Sequence, residues 1–453
     1  MEEITTERTK VIMHSVRKIH KALENAIDLV VTNKEMYVKN PGKDFTRNRK
    51  FTMKDVINQI ISMDGGSLKK ELYDFSKVKG TALTPSAFIQ QRSKISSMAF
   101  KDILYKFNEQ CNDIKTFRGY QLLAVDGTDI NCYRNPESPN FYFNNQYAKG
   151  CNLIHANALY DLRNRTYIDV YLQPRKQGNE RKALVHMLQK NKIQNKSIIT
   201  ADRGYESYNM FAHFINTENV DFVCRAKNGH GAMSVIKNLP MEESDVDITL
   251  EITTTQTNED KVRGRTFIQT GSKKGKKNSS KTALSTWDFP SPYILKFRVV
   301  RFKLNTGEYE TIVTSLNRKK FSINEIKELY NMRWGIETSF RELKYIIGLT
   351  HLHCKKDSFI EQEIYAALIL YNYCSRIANS VIIKKHSKCR YAYKIDFTMA
   401  VYICKKFYNA IQKDFITLVS DICSYTEPVR PGRHDVRNIK FKNFIGFTYR
   451  VAA

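Results

Sequence analysis

The chain has 453 residues, 42% of them hydrophobic, enough for a large core and, at roughly 150 residues per domain, about three domains. Its 73 Lys and Arg against 46 Asp and Glu leave a net charge of +27, which points to a polyanionic partner, nucleic acid ahead of a membrane surface, since no basic amphipathic helix stands alone. Nine scattered cysteines without a Cys-x-x-Cys pair argue against structural zinc and for a reducing compartment, and the polar start MEEITTERTK and short apolar runs argue for a soluble intracellular chain.

Residues 1–115 read as helical and basic. Helical periodicity is clear in KVIMHSVRKIHKALENAIDLVV, and MKDVINQIISM, LKKELYDF and PSAFIQQRSKI are shorter candidates, the last entered by Thr84 and Pro85. Gln90, Gln91, Arg92 and Lys94 on that last helix are polar groups able to reach phosphates or base edges, so the region is either a helix-turn-helix-like module or a plain bundle with a solvated basic face.

Residues 116–226 change to an α/β pattern. GYQLLAVD is a strand, and CNLIHANALYDL and TYIDVYLQP form a hairpin around Arg163-Asn164-Arg165. NERKALVHMLQKN is a helix, KSIITAD a strand, YNMFAHFIN a helix and VDFVCRA a strand. That order is the order of an RNase H-like core, with the first and fourth strands ending in Asp126 and Asp202.

Residues 227–316 favour strands (SDVDITLEITTT, GRTFIQTG, YILKFRVVRFKL, YETIVTSL) around a cationic loop, GSKKGKKNSSK, and read as a β-rich insertion in the α/β domain. Residues 317–380 resume the core with ELYNMRWGIETSFRELKYIIGL, which reads as one helix. Residues 381–453 form a helical basic C-terminal region whose last stretch, PVRPGRHDVRNIKF, is expected to be irregular.

The long helix carries the most informative pattern. Tyr330, Arg333, Glu337 and Lys344 fall within about 60° of one another at about 100° per residue. A phenol, two cations and a carboxylate make a poor core stripe and a good grip on a phosphate beside a metal. Together with Asp126 and Asp202, Glu337 supplies the hard oxygen ligands that two-metal phosphoryl transfer requires, Asp126 bridging two Mg²⁺ ions and the others completing one ion each. Gly127 and Gly204 leave room for a phosphate backbone. Arg333 and Lys344 would hold phosphates flanking the scissile bond and Tyr330 would donate a hydrogen bond there. Arg203, beside Asp202, belongs with the same contacts.

Plainer readings compete at each position. A lone Asp126-Gly127 is a common turn pair, and Arg333 with Glu337 is an ordinary helix-surface pair. Trp334 is expected in the core, and Trp287 either stacks on an unpaired base or packs on a strand edge. Asp129 and Glu206 are supporting residues at most, and His351, His353 and Cys354 have no zinc-like partner spacing.

AVDGT, TADRGY and the Tyr-x2-Arg-x3-Glu-x6-Lys spacing resemble the DDE transposases of bacterial insertion sequences, and more narrowly the insertion-sequence-four family. The resemblance runs from PSAFIQQR to about HLHCKKDSFIEQEIYAALILYN. It implies an α/β fold with an RNase H-like core interrupted by a β insertion. Asp126, Asp202 and Glu337 match the catalytic, metal-binding triad, used with Mg²⁺ or Mn²⁺, and Tyr330, Arg333 and Lys344 match contacts to the DNA backbone. It further implies cleavage of transposon ends, joining to target double-stranded DNA, a homodimer bridging two ends, and a bacterial cytoplasmic, nucleoid-associated location, with neither a membrane nor a small-molecule substrate. Trp287 is only a candidate for the aromatic that receives a flipped base. Three alternatives stand beside this reading: a junction resolvase with the same acidic residues, a catalytically silent DNA-binding regulator, and an Asp-x-Asp-Gly-Thr phosphatase, which Ala124 in place of the nucleophile disfavours.

Overall fold

A computed structural model describes residues 2–47, 51–143, 150–190, 193–229, 231–270, 285–381 and 391–430. The cationic loop at 271–281 and most of the last basic stretch lie outside the described residues. The N-terminal helices are α1 (Glu2–Thr32), α2 (Met53–Ser62), α3 (Leu68–Lys79), α4 (Pro85–Arg92) and α5 (Ser97–Gln110). Their boundaries follow local chemistry. Thr52 and Asp55 form a capping box that starts α2, Thr84 with Pro85 starts α4, and left-handed Gly80 closes α3. α5 is a helix that the periodicity reading passes over.

Next come β1 (Gln121–Cys132), β2 (Phe141–Tyr142), β3 (Cys151–Asp161), β4 (Thr166–Pro174), α6 (Glu180–Lys190), β5 (Ser197–Ala201), α7 (Tyr208–Asn216) and β6 (Val220–Ala226). The expected hairpin joins β3 to β4, its turn held by backbone N–H groups of Arg163 and Asn164 donating to the buried Asp161 carboxylate. The 227–316 span adds α8 (Ser234–Lys237), β7 (Ser244–Thr253), α9 (Asn258–Val262), β8 (Thr266–Phe267), β9 (Tyr293–Lys303) and β10 (Tyr309–Thr314). All ten strands form one mixed sheet in the order β2-β3-β1-β5-β6-β10-β9-β7-β8, with β4 paired to β3. β10 runs antiparallel to β6, so the strands of this span prolong the sheet of the preceding one.

The chain then forms α10 (Ile323–Met332), α11 (Trp334–Tyr345), α12 (Asp357–Ser380), β11 (Ala392–Ile395), α13 (Phe397–Asn409), α14 (Phe415–Ser424) and β12 (Thr426–Val429). The single long helix expected over 328–349 is instead two, parted at Arg333. There the bonds tighten to i→i+3, from Arg333 N to Tyr330 O at 3.0 Å and from Ile336 N to Arg333 O at 3.1 Å.

The sheet separates two apolar layers. Leu123 and Val125 of β1 face α6 and α7, whereas Ala124 faces the helical side with α11 and α12, as strand alternation demands. α12 is the axis of that helical side. It packs against α1, α2, α5, α13 and β4, so the N-terminal and C-terminal helices share one core. Asn372 on α12 satisfies a buried strand, accepting from Tyr167 N (2.8 Å) and donating to Tyr167 O (2.9 Å).

Arg92, expected to be available for phosphates, belongs to the interior. It is 1% exposed, pairs with Glu363 at 2.9 Å, and donates to Gln362 at 2.7 Å and to the Phe359 carbonyl at 2.6 Å. A guanidinium has five donors, and α12 provides the acceptors that α4 lacks. Arg92→Ala, which strands Glu363, is expected to lower unfolding free energy by about 3–5 kcal/mol in urea denaturation. An unchanged midpoint would show that this pair contributes nothing to the docking of α4.

Candidate active site

The site forms where β5 ends and β1 continues. Asp202 follows the last residue of β5, as expected, but Asp126 does not end its strand: β1 runs on to Cys132. The reason is the partner. β3 pairs with β1 from Leu123 to Cys132, whereas β5 pairs only as far as Ala124 opposite Thr200. Asp126 therefore stands just past the end of the parallel neighbour, on an extended strand. Its side chain lies on the face towards α11, and the one-residue alternation that places Leu123 and Val125 against α6 leaves it there.

α11 is docked on this face by several polar contacts. Glu342 accepts from Arg165 at 2.6 Å and from the Tyr371 hydroxyl at 2.7 Å, and Ser339 Oγ lies 2.9 Å from the Tyr167 hydroxyl. Lys344 Nζ donates to Thr128 Oγ1 at 2.6 Å, two residues beyond Asp126 on the same strand. Gly335 permits close approach at the start of α11, since a Cβ there would come within 2.9 Å of Leu162 Cδ2.

Arg333 is the hub. Its guanidinium donates to Glu337 at 2.9 Å and lies 3.8 Å from Asp126 Oδ2, with its side chain only 5% exposed. It therefore faces the carboxylates, and its Nε has no hydrogen-bond partner among the described residues. Tyr330 is buried too, in the apolar layer beneath α10, with the guanidinium 5.7 Å from its ring. Trp334, expected in the core, is instead 44% exposed, and Arg333 sits 4.8 Å from its ring. Arg333 keeps helical dihedral angles, so Trp334 stands about 100° round the helix from the inward-facing Arg333, on the solvent side.

Each aspartate accepts from the backbone of a nearby glycine, Asp126 within β1 and Asp202 on the loop after β5. Asp126 Oδ1 accepts from Gly127 N at 2.8 Å and Asp202 Oδ1 from Gly204 N at 2.7 Å. Both glycines are places where a side chain would collide. A Cβ on Gly204 would stand 2.8 Å from Asp202 Oδ1, and one on Gly127 would stand 2.6 Å from His155 Nε2 and 2.7 Å from Glu180 Oε1. Arg181 ties α6 to the same loop by donating to the Gly204 carbonyl at 2.8 Å.

His155 and Glu180 were not legible as site residues. His155 stands directly opposite Asp129 across β3 and β1, and its Nδ1 is 2.7 Å from the Asp129 carboxylate. Its Nε2 lies 3.2 Å from Glu180, close enough for charge pairing without hydrogen-bond alignment. Burial works against protonation of His155, but Asp129 and Glu180 outweigh it and raise its pKa to about 9. Arg175 lies 3.2 Å from the other oxygen of Asp129. Burial opposes ionisation of Asp129 as well, yet His155 and Arg175 prevail and its pKa falls.

Of the remaining expected residues, Arg203 is exposed beside Asp202. Trp287 packs on Phe289 and Tyr293 and donates to the Pro290 carbonyl at 3.2 Å. Glu206 is buried and accepts from Lys227 N at 2.9 Å. His353 contacts Glu363, and Cys354 Sγ contacts Arg92.

The donor set suits a hard divalent cation: carboxylates around glycine cradles, with a guanidinium as stand-in charge. Among the described residues no three His, Cys, Asp or Glu side chains converge on a metal position, and between Asp126 and Glu337 the position is taken by Arg333. Tyr205 adds a fully buried hydroxyl without a hydrogen-bond partner, on which the charges of Glu180, Asp126 and Asp202 act.

Residues 117–373 match the protein family described as Transposase DDE domain. No curated protein matches the chain. Among solved structures, a cryo-EM structure of piggyBac transposase in a synaptic complex with hairpin DNA aligns at 12% identity and TM-score 0.43, over 95% of this chain and 87% of that one. No helix among the described residues is long and apolar enough to cross a membrane.

Burial, with the like charges of Asp202 and Glu180, raises Asp126 to about 6 despite Gly127 and Arg333. The folded value lies above the unfolded one, so ionisation of Asp126 costs stability as pH rises from about 4 to about 6, on the order of 3 kcal/mol once complete. Asp126→Asn is therefore expected to be more stable than wild type in EDTA at pH 8, by about 2–3 kcal/mol in urea unfolding, and no more stable below pH 4. Equal stabilities at pH 8 would show that Asp126 bears no strain.

Proposed function

The chain belongs to the DDE transposase family, and we propose that it is a DNA transposase of the insertion-sequence-four type that cleaves transposon ends and joins them to target DNA. The observation that carries this reading is the meeting of Arg333 with both Asp126 and Glu337, residues 211 positions apart on β1 and α11. A surface helix pair does not require the first contact. The strand order β4-β3-β1-β5-β6, with β1, β5 and β6 parallel, supports an RNase H-like core over 116–226 and 317–380, with 227–316 as its β-rich insertion.

In this reading Asp126, Asp202 and Glu337 hold two Mg²⁺ or Mn²⁺ ions. When bound, such ions polarise the scissile phosphate and lower the pKa of the attacking water or 3′-hydroxyl. The chain's residues do the rest. Arg333 neutralises Asp126 and Glu337, and with a divalent cation held by those carboxylates its guanidinium, whose Nε has no partner among the described residues, would be free to hold a DNA phosphate. Lys344, on the Thr128 side, places a positive charge beside the strand that carries Asp126. Tyr330 acts from below by seating the Arg333 guanidinium, with its buried ring leaving a direct DNA contact to Arg203 and Lys344. Trp287 remains a proposed contact to an extruded base. The exposed Lys and Arg surplus steers the duplex.

The test is Mg²⁺-dependent cleavage of a labelled duplex carrying the terminal repeat that flanks the gene, with wild type and Asp202→Ala side by side on a denaturing gel. Cleavage by wild type alone, with end binding retained by both, is expected. Binding without cleavage by either protein would replace this reading with that of a silent DNA-binding regulator. Binding should weaken with salt at a slope near −0.9 per phosphate neutralised, and salt-insensitive binding contradicts the electrostatic argument.

Lys344→Ala is expected to reduce cleavage about tenfold, roughly 1.4 kcal/mol, with little change in melting temperature. A large fall in melting temperature would assign Lys344 to holding α11 on β1.

A further inference from the structure

We propose that Glu180 is a fourth carboxylate of the catalytic centre, set in place by His155 and admitted by Gly127, and that it shares the divalent cations with Asp126 and Asp202. This rests on the reading of Asp126, Asp202 and Glu337 as a metal-binding triad. Asp126 and Glu337 face each other through Arg333 on the α11 side of the sheet. Glu180 comes from the opposite layer, as the first residue of α6. It reaches the strand ends only because residue 127 has no side chain, since a Cβ there would stand 2.7 Å from Glu180 Oε1.

Its two oxygens face different ways. Oε1 lies 3.2 Å from His155 Nε2, and Oε2 lies 3.5 Å from the Cβ position of Gly204, on the loop of Asp202. One oxygen is thus taken by a fixed partner and the other is left towards the two aspartates. The fixed partner is itself anchored: His155 is 5% exposed and braced by Asp129, which Arg175 holds in turn. A buried histidine locked between two carboxylates is a means of aiming the second of them. An ion pair serving stability alone has no need to place a carboxylate, 36% exposed, against both glycine cradles. Arg181 secures the same turn of α6 to the Gly204 carbonyl, so the start of α6 is tied to the loop of Asp202 while Glu180 lies against Gly127 of β1. The buried Tyr205 hydroxyl feels Glu180 ahead of Asp126 and Asp202, which places Glu180 in the same electrostatic group.

The experiment measures Mn²⁺ binding to the full chain, without DNA, by loss of the free-ion electron paramagnetic resonance signal, for wild type, Glu180→Gln and Asp126→Asn. Glu180→Gln is expected to weaken Mn²⁺ binding at least fivefold and to raise the Mg²⁺ concentration for half-maximal cleavage in the same direction. The double variant His155→Asn with Glu180→Gln removes both members of the buried pair and, should the single variant melt early, is expected to show the same loss. Glu180 variants that bind Mn²⁺ like wild type while Asp126→Asn does not would overturn the assignment of Glu180 and leave the triad standing. Undiminished binding by Asp126→Asn as well would overturn the triad and this inference with it.

Discussion

Carboxylates gathered over the central strands of a sheet repel one another without a compensating charge, and the Arg333 guanidinium supplies it between Asp126 and Glu337. Much of the local architecture serves that placement. The helix parts at Arg333, Gly335 brings the next turn against the hairpin, and Tyr330 and Trp334 flank the guanidinium on two sides. An arginine suits this position because it stays charged when buried and offers donors in more than one direction. Burial raises the pKa of Asp126 despite the nearby guanidinium, so the compensation is partial.

The second constraint is steric. Gly127 and Gly204 sit beside the aspartates, and in this fold the space they leave is filled by the protein's own His155, Glu180 and Asp202. The glycines thereby bring an acidic residue of α6 through to a sheet whose Asp126 meets Glu337 on the opposite face, through Arg333. The two layers meet at this point, through one strand, β1, that pairs in parallel on one side and antiparallel on the other.

The third constraint is the mechanical support of α11. Glu342 and Ser339 fasten it to Arg165, Tyr371 and Tyr167, and α12 passes beneath as the axis against which α1, α2, α5 and α13 pack. Arg92 meets α12, and Asn372 of α12 meets Tyr167 of β4, through buried polar contacts that have one good geometry each, a more specific fastening than apolar packing alone. A long α12 with apolar contacts all round thus lets the N-terminal helices and the glutamate-bearing helix share one rigid frame.

The sequence by itself determined the strands and helices whose periodicity is strong and the hairpin turn at Arg163-Asn164-Arg165, and it singled out Asp126, Asp202 and the Arg333-Glu337 helix. These are local signals, carried by alternation, turn residues and helical spacing. Tertiary structure decided what depends on partners distant in the chain. β1 continues past Asp126 because β3 is there to pair with it. Arg92 is interior because Gln362 and Glu363 await it, and Arg333 faces inward because Asp126 lies across from it. Trp334 is outside because it stands about 100° round the helix from the inward-facing Arg333. His155 and Glu180 carry no motif of their own. Only the pairing of His155 with Asp129 across two strands, and the empty Cβ position of Gly127, bring them to the site, and neither register nor empty space is written in a one-dimensional pattern.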